Sequence, residues 1–339
     1  MSDMYENKNR TSYYKKDNRL EEALLDLNQL IDGVQYKDMR FSCNQPIILI
    51  MGCARSGSTL MLQWLASLGL FSYPSNLIAR FYSNPYIGIR VQQALLEYDP
   101  LNQIGFNQGC DAFKSSLGKT TGALSPSEYW YFWREYFKFE DDKQKLTKAQ
   151  LKTIEGDAFV NKLYAFEHLT QKPLVLKGML LNWNIPYLYQ LNKNFIFINL
   201  TREPFYNAQS LLLARETYFN DRNKWYSFKP PEYNFLKNDD PIKQVAGQVI
   251  YTQKAVQDGL LNIPEQNVLN ISYDNFCSNP EGFLKLLTEK YNQISNNKIL
   301  DYDEYALSQN SFIANKKVNL KEDEVEYLKE QVQFFKDKI

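Results

Sequence analysis

Two arginines and their neighbours carry most of the chemistry legible in this chain. The stretch Gly52-Cys53-Ala54-Arg55-Ser56-Gly57-Ser58-Thr59 follows an apolar run and precedes a helical pattern. Glycines around a strand-to-helix turn let backbone N–H groups converge on an anion at the helix N-terminus. Arg55 adds a cation two residues before the second glycine. Farther along, Arg202 ends another apolar run and Ser210 follows eight residues later. An arginine at a strand tip and a serine two helical turns on can meet on one phosphate. The plainer alternatives are a serine-capped turn at the first site and an Arg202–Glu203 pair at the second.

These residues need strands that end together. Pro46–Met51, Pro173–Leu176, Asn194–Leu200 and Asn267–Ser272 read as buried parallel strands. Helical patterns cover 59–68, 127–137, 148–169, 204–218, 242–261 and 280–291. Strands alternating with helices predict an α/β fold, a parallel sheet covered by helices on both faces. Residues 1 to about 18 read as a disordered tail, followed by a short amphipathic helix through Leu20, Leu24, Leu27 and Ile31. The stretch 220–240 reads as a loop or lid, and 320–338 as a charged amphipathic helix.

Composition narrows the function. The 339 residues carry 39 Lys plus Arg against 39 Asp plus Glu. That balance argues against nucleic-acid coats and polybasic membrane binding. Cys43, Cys53, Cys110 and Cys277 are scattered, as reduced thiols are, and show no zinc spacing. No apolar run approaches the length of a membrane span. The N-terminus lacks the apolar core of a signal peptide, so the expectation is a cytoplasmic chain without stable membrane insertion.

The loop frame comes close to the nucleoside-triphosphatase pattern G-x-x-x-x-G-K-[ST], but Ser58 stands where that pattern has lysine. Residues 52–60 instead resemble the 5′-phosphosulfate loop, G-x-x-[RK]-[ST]-G-[ST]-[ST]-L, of sulfotransferases that use 3′-phosphoadenosine 5′-phosphosulfate. Arg202-Glu203-Pro204 with Ser210 resembles that family's 3′-phosphate motif. Tyr273, in Ile271-Ser272-Tyr273-Asp274, resembles a tyrosine near the nucleotide. Lys316-Lys317-Val318-Asn319-Leu320 resembles the K-P-V-N-L stretch of tyrosylprotein sulfotransferases, with Lys317 in place of proline.

The resemblance spans about 46–70, 173–215, 266–290 and 308–336. It implies a P-loop-type fold whose helical insertions cap an acceptor. The implied organisation is a tail and helix over 1–45 and one domain over 46–339 with a variable insertion at 71–170. It implies donor contacts from Ala54, Arg55, Ser56, Gly57, Ser58, Thr59, Arg202, Ser210, Tyr273 and Lys316. The donor itself is the co-substrate, and no metal is expected.

Sulfuryl transfer needs cations where charge develops and a base for the acceptor hydroxyl. Arg55 and Lys177, at the end of a strand, are the candidate cations. The family's glutamate about twenty residues past the loop arginine has no counterpart in Tyr73-Pro74-Ser75-Asn76. Glu128, beside five aromatics, is the first replacement, or else an ordinary helix-start glutamate. His168, the sole histidine, is the second, or else structural. The rings between Tyr129 and Phe137 form core, an acceptor platform, or both. The expected acceptor is a carbohydrate, glycolipid or other small alcohol. A P-loop kinase and a non-catalytic nucleotide- or glycan-binding module are the alternatives.

Overall fold

Six consecutive apolar or small residues, Ile47–Gly52, form β1, buried at every position. The other strands are β2 (Ser115–Ser116), β3 (Lys119–Thr120), β4 (Leu174–Lys177), β5 (Phe195–Thr201) and β6 (Val268–Ser272). The first helices are α1 (Asn18–Asp32), α2 (Ser58–Ser67), α3 (Pro85–Gln92), α4 (Trp130–Tyr136), α5 (Lys148–Lys152) and α6 (Gly156–Thr170). After them come α7 (Ile185–Leu191), α8 (Pro204–Phe219), α9 (Tyr233–Leu236), α10 (Pro241–Leu260), α11 (Tyr273–Ser278), α12 (Pro280–Ile294) and α13 (Glu322–Lys336). This computed structural model describes residues 6–32, 41, 45–97, 101, 114–139, 143–295, 300 and 311–339. Cys43 and Cys110 lie outside them.

The main sheet runs β4-β1-β5-β6, every pair parallel. Side chains alternate across a strand, so Ile47, Leu49 and Met51 enter one core while Ile48 and Ile50 enter another. Helices α8 and α10 cover the first face, and α2, α11 and α12 cover the second. The α/β fold is therefore as expected. Ile50 aligns with Lys177 and Ile198, and Gly52 with Leu200. That register brings Lys177, the 52–59 turn and Arg202 out along one edge, where parallel sheets place their sites.

Several local expectations are corrected. The helix expected over 148–169 breaks into α5 and α6. Gly156, which opens α6, lies so close to α7 that a Cβ there would be 2.3 Å from Leu191 Cδ2. The helix expected from Ser127 begins at Trp130, because Tyr129 takes a left-handed φ of 57° at its N-cap. Residues 225–230 are buried, so this part of 220–240 forms a packed wall rather than a detached lid.

The tail is also corrected. Thr11 N donates to the Tyr218 carbonyl at 3.0 Å, and the Tyr14 and Tyr218 rings lie 4.6 Å apart. Tyr14 OH shares a 2.6 Å hydrogen bond with Ser116 Oγ. Asn28 of α1 donates to the Arg80 carbonyl at 2.9 Å. Polarity reads as disorder in one dimension, yet Tyr14 and Leu24 find apolar partners on the body. Among the described residues, no helix is long and apolar enough to cross a membrane.

Candidate active site

The 52–59 turn is held on several sides. Gly52 N donates to Asn182 Oδ1 at 3.2 Å, and Asn182 Nδ2 returns a 2.8 Å bond to the Gly52 carbonyl. Asn207 Nδ2 of α8 holds the Ala54 carbonyl at 2.7 Å. Arg55 and Gly57 both take positive φ, 68° and 99°, which curls the backbone around the start of α2. Gly57 is the N-cap of α2 and supplies no side-chain acceptor to its first turn. Those N–H groups are left to water or to a bound anion. Ser56 Oγ is buried without a hydrogen-bond partner. Cys53 behind the loop is buried, which pushes its thiol up to about 12; it is packing, not a nucleophile.

The glycine at 57 is required. A Cβ there would stand 2.3 Å from Tyr273 Cδ2, on a φ that side chains avoid. Gly57→Ala is expected to destabilise the protein by about 1–3 kcal/mol through this overpacking, read as a lower urea midpoint.

Arg202 joins the two halves of the site. Its Nη1 donates to the Arg55 carbonyl at 2.9 Å and its Nη2 to the Asn315 carbonyl at 2.8 Å. Its guanidinium lies 4.9 Å over the Tyr273 ring. Arg55 Nε in turn donates to Ser210 Oγ at 3.3 Å. Burial holds Arg202 below the usual arginine range, and the charge of Arg55 pushes the same way. Two cations crowded together favour an anion between them. The segment after 311 crosses this region, fastened by Gln209 Nε2 to the Lys317 carbonyl at 2.9 Å. Lys316 pairs with Asp274 at 2.5 Å with its side chain 57% exposed. Its neighbour Lys317 lines the cavity instead.

Lys177 leaves β4 only 7% exposed. Its Nζ donates to Thr59 Oγ1 at 3.0 Å and to Glu128 Oε1. Trp130 Nε1 fixes the other carboxylate oxygen at 2.6 Å. The β2–β3 turn closes over this pair, since a Cβ on Gly118 would lie 2.7 Å from Glu128 Oε1. Sequence reasoning had no signal for the hairpin, for Asn182 or for Asn207. His168 lies apart from these groups. It sits exposed near the end of α6, its ring 4.9 Å from Phe41, and does not line the cavity.

Arg55, the start of α2, Lys177, Glu128, the β2–β3 turn and Arg202 open on one cavity of about 1180 Å³. Tyr206, Ser210 and Leu213 of α8 line it at the spacing of one helix face, and Tyr218 joins them near the helix end. The aromatic run divides its work. Tyr129, Phe132, Trp133 and Phe137 are core, while Trp130 and Tyr131 line the cavity.

The model of the sulfotransferase family matches residues 46–292. The chain belongs to the sulfotransferase family. This sulfotransferase shares its fold with sulfotransferase STF1 from Mycobacterium tuberculosis H37Rv, at 14% identity and a TM-score of 0.56, covering 97% of this chain and 89% of that one. Sulfotransferase STF9 from Mycobacterium avium is similar at 14% identity and a TM-score of 0.55, covering 99% and 88%. No curated protein matches its sequence. Membership makes the chain a transferase and sets the kinase alternative aside.

Proposed function

We propose that this sulfotransferase moves a sulfuryl group from 3′-phosphoadenosine 5′-phosphosulfate to the hydroxyl of a small-molecule or glycan acceptor. One observation carries the reading: Arg55 reaches Ser210 while Arg202 holds the Arg55 carbonyl. The loop, the strand tip and α8 thereby face one cavity. The residues fit a two-anion nucleotide. The α2 N-terminus with Arg55, Ser58 and Thr59 suits its 5′ side, and Arg202 with Ser210 suits its 3′-phosphate.

When bound, the donor supplies the sulfuryl group that the acceptor oxygen attacks in line. The chain's own residues do the rest. The Glu128 carboxylate takes the acceptor's hydroxyl proton, with Trp130 fixing its orientation. The Lys177 ammonium and Arg55 guanidinium stabilise negative charge on the departing phosphate side. The aromatic walls exclude water, which strengthens each of these interactions.

Calorimetry with adenosine 3′,5′-bisphosphate and with Mg·ATP tests the donor. Binding of the bisphosphate without metal is expected, and binding of Mg·ATP alone overturns the reading. Arg202→Ala should weaken bisphosphate binding about tenfold to hundredfold, the loss of a charge-assisted contact. Transfer of labelled sulfate to a panel of sugars and phenols then tests the reaction.

A further inference from the structure

The β2–β3 hairpin has strands of only two residues each, and a lone hairpin of that size does not hold itself together in water. Its turn is strained besides. Leu117 and Gly118 both take positive φ, 51° and 90°, the pattern of a tight hairpin turn that favours asparagine and glycine. A leucine in that conformation persists only where its surroundings hold it. The base of the hairpin is fixed by Asn76 Nδ2 donating to Thr120 Oγ1 at 3.0 Å, and by Thr120 Oγ1 donating to the Pro126 carbonyl at 2.8 Å. The tip is held by two tyrosines. Tyr226 OH donates to the Leu117 carbonyl at 3.3 Å, and burial keeps that phenol above the ordinary tyrosine range, so it stays a donor. Tyr14 OH, from the N-terminal segment, shares its 2.6 Å bond with Ser116 Oγ.

Tyr14 is itself well anchored. It is 7% exposed, its ring lies against Tyr218, and Arg10 of the same segment lies 5.6 Å over the Tyr218 ring. A second contact joins segment and hairpin, since Lys119 Nζ of β3 sits 5.1 Å over the Tyr13 ring. The hairpin passes this support on through Gly118. A Cβ there would lie 2.7 Å from Glu128 Oε1 and 3.4 Å from Thr59 Oγ1, the two partners of Lys177. The turn thereby walls the carboxylate beside the oxygen that Lys177 engages. The Glu128 side chain is 31% exposed, so it has room to rotate toward water unless a wall stops it. A base must keep its orientation to reach the acceptor proton.

We propose that Tyr14 is a positioning residue for sulfuryl transfer: through Ser116 it holds the Leu117–Gly118 turn against Glu128. The inference rests on the reading of Glu128 as the base. It gives the N-terminal segment, outside the 46–292 stretch of the family match, a part in the reaction.

Tyr14→Phe keeps the ring against Tyr218 and removes the hydroxyl. Ser116→Ala removes the same bond from the hairpin side, and reads it should the first variant disturb folding. Single-turnover transfer of labelled sulfate from 3′-phosphoadenosine 5′-phosphosulfate is measured in the full chain. The acceptor is the fastest alcohol of the panel above, or water where no alcohol reacts. Each variant should lower the rate about threefold to tenfold, the weight of one neutral hydrogen bond, with adenosine 3′,5′-bisphosphate affinity unchanged. In a Glu128→Gln background the same substitutions should change the rate by less than about twofold, because the group they position is gone. A packing role alone would lower the urea midpoint and leave the rate per bisphosphate-binding molecule at its wild-type value. That result overturns the proposal. So does a normal rate in either folded variant, a bisphosphate affinity that falls with the rate, or a loss that persists undiminished in the Glu128→Gln background. If Glu128→Gln alone keeps the wild-type rate, the base reading falls first and takes this inference with it. If Glu128→Gln is slow while the Tyr14 and Ser116 variants are normal, only this inference falls.

Discussion

Glu128→Gln should lower kcat by about a hundredfold to ten-thousandfold, the range for loss of a positioned general base. The amide keeps the shape of the carboxylate and an oxygen for Trp130 Nε1, but it cannot take a proton from the acceptor. Bisphosphate affinity should remain, because Arg55, Arg202 and Ser210 are untouched. Stability should fall as well. Lys177 is 7% exposed and would keep only the Thr59 hydroxyl of its two partners. The penalty is about 1–3 kcal/mol, less than for a fully buried pair, because the Glu128 side chain retains 31% exposure. Single-turnover sulfate transfer together with a urea melt reads both effects. A variant with wild-type kcat would remove Glu128 from the mechanism.

Lys177→Met should lower kcat by about a hundredfold to a thousandfold, as removal of one preorganised charge-stabilising donor does. Its stability should move differently. Methionine fills similar space and abolishes the buried charge, and Glu128 keeps Trp130 Nε1 and solvent. Replacing a buried charge by an apolar side chain of like volume is commonly neutral or stabilising. The two variants therefore share a catalytic defect and part company in urea. A purely structural ion pair would give two unstable proteins with near-normal turnover per folded molecule.

The sheet was legible because its strands are nearly continuous apolar runs, which only burial on both faces explains. Gly52, Arg55, Gly57, Arg202 and Ser210 were legible because each group is local, with spacing set by one turn or one helix. The contact between Lys177 and Glu128 joins residues 49 apart in sequence, and no periodicity records it. The same applies to Arg10 and Tyr14. Their segment is polar enough to read as a tail, and its order comes from Tyr218 and Ser116, partners distant in the chain. The break between α5 and α6 was hidden for a similar reason: Leu191, which crowds Gly156, belongs to another helix. Lys316 was singled out by its motif alone, which could not show that Asp274, beside Tyr273, pairs with it.

Helix α8 bears the Ser210 hydroxyl partway along and anchors the N-terminal segment through Tyr218 near its end. Eight residues of helix separate the two by about 12 Å along the axis. A hydrogen-bonded rod does not stretch, so it acts as a gauge. It holds the 3′-phosphate contact at Ser210 a fixed interval from the N-terminal wall at Tyr218.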